Sequence, residues 1–225
     1  MVNTEATGDV QRIVNFAELR RRAQELGPRR VAVVVADDDV ALTAAGHALQ
    51  LGIAVPVLVG NEAKIKAKAG ELGLAGLLVG AEVRDAEDAA GAAVQMARAG
   101  GVDVLLKGHL RTDELLHAVL DKATGLRAER LLSDVLLYED RLAGETRLVG
   151  VTDGGLNVAP TIEQKQQIVM NAIEVMRCLG IRCPKMAIMS ATEAVSRGPK
   201  VPVGTPLGSS ARVRAPQEQP SSCSS

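Results

Sequence analysis

The sequence predicts an α/β fold built on a largely parallel sheet, and three observations point there. Short apolar runs ending in glycine or a charged residue alternate with longer stretches that carry helix caps. The runs are continuous in Val, Leu, Ile and Ala, as strands buried on both faces must be. The 225 residues are 47% hydrophobic and 24% charged, enough for a sizeable core.

The elements follow in order. Val31 to Ala36 reads as a buried strand, with Asp37, Asp38 or Asp39 capping a helix that Gly52 ends. Val55 to Val59 is a second strand closed by Gly60, and Asn61 caps the next helix. After a short apolar stretch at Leu77 to Val79, Asp85 opens a helix that runs to about Ala99 and breaks at Gly100-Gly101. Val102 to Leu106 is a further strand ending in Lys107-Gly108, and Thr112 starts the helix beyond it. Strand and helix alternate as they do where helices cover both faces of a parallel sheet. From Leu131 the pattern changes to a hairpin, Leu131 to Tyr138 and Thr146 to Thr152, joined through Glu139-Asp140-Arg141 and Gly144. A long helix follows over Thr161 to Leu179, with a capping box of Thr161 and Gln164. Its apolar face is Ile162, Ile168, Val169, Ala172, Ile173, Met176 and Leu179. Met186 to Met189 is expected to be a last strand. The organisation is thus an amino-terminal extension over 1–30, a first α/β domain over 31–130, part of a second over 131–196, and a disordered Pro/Ser-rich tail over 197–225.

Composition removes several functions. Phe16 and Tyr138 are the only aromatic residues, too few to stack bases or cage a quaternary ammonium. A net charge of −1 gives no basic field for nucleic acid or an anionic membrane, so neither is an expected partner. No apolar run would span a bilayer and no signal-like stretch opens the chain, which makes the cytoplasm the expected setting. Cys178, Cys183 and Cys223 have no metal-ligand spacing, and the first two are expected to be buried bystanders. His47 and His117 fall within helices, leaving His109 as the one histidine in a candidate loop. Phosphate-loop, nucleophile-elbow and zinc-protease motifs are absent, and the glycines of residues 70–80 lack dinucleotide spacing.

Three clusters could carry chemistry. Lys107, Gly108 and Thr112 stand at a strand's carboxyl end, where open α/β sheets bind ligands: a cation, a glycine that lets a ligand near the backbone, and helix amides for an anion. A ligand-free Lys-Gly turn would be spelled the same way. Arg127 and Arg130, leading to Ser133, could present bidentate donors to a phosphate or carboxylate, or be solvated and paired with Glu129 or Asp121. Asp153 and Asn157 flank a glycine turn ahead of the capped helix, as polar groups of a site or of a structural turn.

Together these stretches resemble the phosphate acetyltransferase/phosphate butyryltransferase family, the butyryl branch more closely. The likeness is carried by Leu106-Lys107-Gly108, Thr112, Val119-Leu120-Asp121-Lys122, Gly125-Leu126-Arg127 and Arg130-Leu131-Leu132-Ser133. Thr152-Asp153, Asn157-Val158-Ala159-Pro160, Gln164-Lys165, Asn171-Ala172 and Ser190-Ala191-Thr192-Glu193 extend it. The resemblance implies reversible acyl transfer between coenzyme A and inorganic phosphate, with no metal or redox cofactor and coenzyme A thioester as substrate. It implies two α/β domains with an intervening cleft, and assembly of family members into dimers or larger, with a homodimer as the possible state here. By motif, Arg130 and Ser133 would act on phosphate or the developing oxyanion; Lys107, Gly108, Thr112, Arg127, Asp153 and Asn157 would line the substrates. The family pattern continues with a D-G-P-L-like and an S-R-A-D-like segment, the latter holding a phosphate-binding arginine and the aspartate that acts as base toward the thiol. After Ser196 this sequence has neither, so a shortened carboxyl terminus, an incomplete second domain and impaired turnover are expected. The alternatives are a non-catalytic remnant that binds coenzyme A or phosphate and an inactive fragment.

Overall fold

A computed structural model describes residues 11–141 and 144–189. The expected tail and the end of the second domain lie outside the described residues. The chain forms two compact units, one of Arg20–Glu129, the other of the described parts of Met1–Leu19 and Arg130–Ser225.

In the first unit the strands β1 (Arg29–Val34), β2 (Ala54–Gly60), β3 (Glu82–Asp85) and β4 (Val104–Lys107) form one parallel sheet in the order β3-β2-β1-β4. Side chains alternate across a strand, and here both faces are buried. Val33 and Leu58 point to one face, under α2 (Asp39–Gln50), α3 (Glu62–Glu71) and α4 (Ala75–Gly80). Ala32, Val34, Val57 and Val59 point to the other, under α5 (Ala89–Arg98) and α6 (Thr112–Leu120). That is why the two central strands read as unbroken apolar runs.

Caps set most boundaries. Asp38 accepts from the Ala41 amide at 2.9 Å and Asn61 from the Lys64 amide at 3.0 Å, opening α2 and α3. Several boundaries differ from expectation, β4 opening at Val104 and the hairpin's first strand at Leu136 among them. β1 stops at Val34 because Val35 takes a left-handed φ of 54°. Residues 82–85 pair with β2 as a strand, so α5 opens at Ala89 and Asp88 caps it where Asp85 was expected to. Leu77–Val79 belongs to α4, with Leu77 buried against the first face.

In the second unit β5 (Leu136–Asp140) and β6 (Arg147–Val151) pair antiparallel, closed by an Arg147–Asp140 ion pair at 2.6 Å. The helix α7 (Ile162–Cys178) starts on the Thr161–Gln164 capping box and buries Ile168, Ala172 and Ile173. Ile162, expected on that face, is exposed: it lies in the first turn, ahead of the buried stripe. Leu179 packs with Ile13 and Leu148 instead. An element not expected from the sequence is α1 (Phe16–Glu25), which runs across the Leu19–Arg20 division; its cap is Asn15, accepting from the Glu18 amide at 2.8 Å. Residues 186–189 form no strand; they pair with no described strand, and Ile188 and Met189 are exposed. Cys178 and Cys183 are exposed as well, because they lie beyond the buried stripe of α7.

Candidate functional site

In the first unit the chain runs β1, β2, β3 outward and returns to place β4 on the other side of β1. The carboxyl ends of β1 and β4 therefore flank the switch point at which open α/β sheets bind ligands. Lys107 stands there, but its ammonium donates to the carbonyls of Leu110 at 3.0 Å and Gly108 at 3.3 Å. Gly108 is buried, and a Cβ on it would lie 2.3 Å from the Val35 carbonyl oxygen. Its missing side chain thus makes room for the neighbouring strand end. The Gly108 and His109 amides donate to the Val34 and Val35 carbonyls at 2.8 and 2.9 Å.

Thr112 is the exposed first residue of α6, and the Arg111 ahead of it provides no side-chain cap. Negative charge in this first turn comes from Glu114 and from Asp113. Arg111 grips that carboxylate at 2.9 and 3.0 Å and, with the amides of the same turn, holds it below its ordinary pKa. A group unmarked in the sequence completes this corner: the Oδ1 of Asp37 is buried, with His109 Nδ1 3.6 Å away. Asp37 read as one of three candidate caps, and only the fold separates it from Asp38. Arg127 is exposed in the same unit.

The second unit brings the other four candidates together. Arg130 pairs with Glu174 of α7 at 2.7 Å, rather than with Glu129 or Asp121, and its Nη1 lies 3.5 Å from Asn171 Oδ1. The Nδ2 of Asn171 donates to the Leu131 carbonyl and to Ser133 Oγ, both at 2.9 Å. Gln167, one turn earlier, accepts from the Leu131 amide at 2.8 Å. Residues 130–133 thus lie along a polar stripe of α7, beside a shallow pocket of about 280 Å³ lined by Arg130, Glu163, Gln166, Gln167 and Met170. Asn157 donates to the Leu132 carbonyl at 3.0 Å and to Asp153. Asp134 accepts from the Gly154 amide at 2.6 Å, and its carbonyl accepts from Thr152 Oγ1 at 2.6 Å. Desolvation pushes the Asp153 carboxyl up. The donors Asn157, Leu156 N–H and Gly155 N–H, with a bond to Asp134, outweigh it and hold the group below the usual carboxylate value. Asp153 and Asn157 therefore brace the loop that carries Ser133.

Gln167, Asn171 and Glu174 escaped sequence reading because α7 was read for its apolar face. Their spacing, four and then three residues, was the available signal, since such positions share one side of a helix.

A family model described as "Phosphate acetyl/butaryl transferase" matches residues 79–202, more than half of the chain and the whole of this cluster. The chain belongs to this family. Among its relatives, the phosphate acetyltransferase of Rhizobium meliloti is 39% identical over 160 residues, 71% of this chain and 50% of that protein. The phosphate butyryltransferase of Clostridium beijerinckii is 34% identical over 184 residues, 81% of this chain and 60% of the relative. A phosphotransacetylase crystal structure from Streptococcus pyogenes superposes with a TM-score of 0.61 at 14% identity, covering 81% of this chain and 64% of that one. It shares the mixed α/β fold. The chain thus spans half to three-fifths of the length of these two enzymes. Among the described residues, no helix is long and apolar enough to cross a membrane.

Proposed function

We propose that this phosphate acetyl/butyryl transferase family member moves an acetyl or butyryl group between coenzyme A and inorganic phosphate. One observation carries the reading: a guanidinium and a hydroxyl, Arg130 and Ser133, are held by the same amide of α7. Such a pair suits phosphate and a carbonyl oxygen gaining charge, because fixed donors cost no reorganisation during reaction. Starting from acyl phosphate and coenzyme A, the sulfur attacks the acyl carbonyl: the C–S bond forms, the C–O bond to phosphate breaks, and phosphate leaves with the electron pair and takes up the thiol proton.

Arg130 would take the phosphate dianion in bidentate fashion. The Ser133 hydroxyl would donate to the carbonyl oxygen, while Asp153 and Asn157 keep its loop in place. Lys107, Thr112 and Arg127 are proposed as substrate-binding residues, with Gly108 shaping the strand end beside Lys107. No atom changes oxidation state, so the proposed reaction calls for no redox cofactor, and coenzyme A enters as substrate.

The test is thiol release from acetyl-CoA and butyryl-CoA by the purified 225-residue protein, with and without phosphate. Phosphate-dependent release that Arg130→Ala reduces at least tenfold is expected, and the faster thioester names the acyl group. Release without phosphate would make the protein a hydrolase. Coenzyme A binding without turnover would make it a binding protein.

A further inference from the structure

We propose that Asn171 is the positioning residue of the anion site, setting the direction of the Ser133 hydroxyl and the place of the Arg130 guanidinium. This rests on reading Arg130 and Ser133 as the phosphate-binding pair.

An asparagine amide has two distinct ends, and here each has a task. The NH₂ end donates to the Leu131 carbonyl and to Ser133 Oγ, both at 2.9 Å. Because Ser133 Oγ accepts in this bond, its own proton is directed elsewhere and stays available to an incoming oxyanion. The Oδ1 end lies 3.5 Å from Arg130 Nη1, and the same nitrogen donates to Glu174 at 2.7 Å. Arg130 is thus held by one neutral and one charged acceptor. The side chains of Arg130 and Glu174 are 53% and 51% exposed, so their ion pair is weak and a dianion can displace it. Asn171 contributes no negative charge and can keep its contacts while the anion binds.

Asn171→Asp keeps the shape and reverses the chemistry. The carboxylate offers Ser133 an acceptor, drawing the hydroxyl proton inward, repels the Leu131 carbonyl and competes for Arg130. Protonation of that carboxyl restores a donor. Sulfate is the probe, since it stays doubly charged between pH 4 and 8, and binding to the full chain is followed by calorimetry. The charged groups bonded at residue 171 are Arg130 and Glu174, with Glu163 on the same pocket and Asp134 and Asp153 in the loop that carries Ser133, and all are common to wild type and variant. The ratio of the two affinities therefore isolates the new carboxyl.

At pH 7.5 N171D is expected to bind sulfate at least tenfold more weakly than wild type, with the gap closing as pH falls toward 4. A gap of the same size at every pH would mean structural damage and overturn the proposal. So would wild-type affinity in N171D; if R130A still lost sulfate, the phosphate reading would survive that result. Equal sulfate affinity in wild type and R130A would overturn both. Should N171D not fold, Asn171→Ser replaces it, in wild-type and Ser133→Ala backgrounds. Sulfate affinity lost in the first background and not in the second supports action through Ser133; equal loss in both overturns it.

Discussion

Asp153 shows how a side chain expected to line a substrate can serve first as a brace. Its carboxylate collects Asn157, the Leu156 amide and the Gly155 amide, and these donors hold its pKa down against desolvation. A group whose folded pKa lies below its unfolded value stabilises above the unfolded pKa, and that contribution is lost as pH falls through the folded one. The unfolded value is about 3.9. Asp153→Asn is therefore expected to be less stable than wild type at pH 7, the difference shrinking below about pH 4 as the wild-type carboxyl protonates. Urea unfolding followed by circular dichroism across that range measures it. A pH-independent difference would show that the charge of Asp153 is not what the loop uses. Residues 153 and 157 were legible as a polar pair, but whether they face a ligand or each other depends on the path of the turn between them.

At the scale of elements, the capped helices were the most legible part of the sequence and the uncapped edges the least. Thr161 and Gln164 satisfy each other's backbone amides at 3.3 and 2.8 Å, as the sequence pattern required. Thr161→Ala is expected to cost about 1 kcal/mol, with Thr161→Ser keeping most of it. Denaturant midpoints of the three proteins decide this, and an unchanged midpoint for the alanine variant would mean that the cap contributes nothing. β3 was missed because Glu82-Val83-Arg84-Asp85 has a single apolar residue; it is an edge strand, and Arg84 and Asp85 face solvent. Residues 186–189 failed in the opposite sense. An apolar run becomes a strand only where another strand offers its edge, and no described strand offers one to this run.

For the whole molecule, the parallel sheet of the first unit holds the largest share of fully buried side chains. Leu58 lies in β2 with no exposed surface, packed under α2, α3 and α4. Leu58→Ala is expected to cost about 2–5 kcal/mol through lost burial and the cavity left behind. Val79→Ala, at a position 90% exposed, is its surface control and should change little. Comparable midpoints for the two variants would contradict the assigned core.

The sequence by itself determined the α/β class, the alternation of β1, β2 and β4 with their capped helices, the hairpin, the capped helix α7 and the family. These depend on local signals: period, caps, glycine ends and ordered blocks of residues. Only the tertiary structure decided that Arg130 answers to Glu174, that Asn171 reaches both Arg130 and Ser133, and that Asp37 turns one carboxylate oxygen inward at the switch point. The physical reason is distance along the chain. Those partners lie 38 to 44 residues apart in the α7 cluster, and hydrogen bonds at such separations exist only once the helix has docked on its loop.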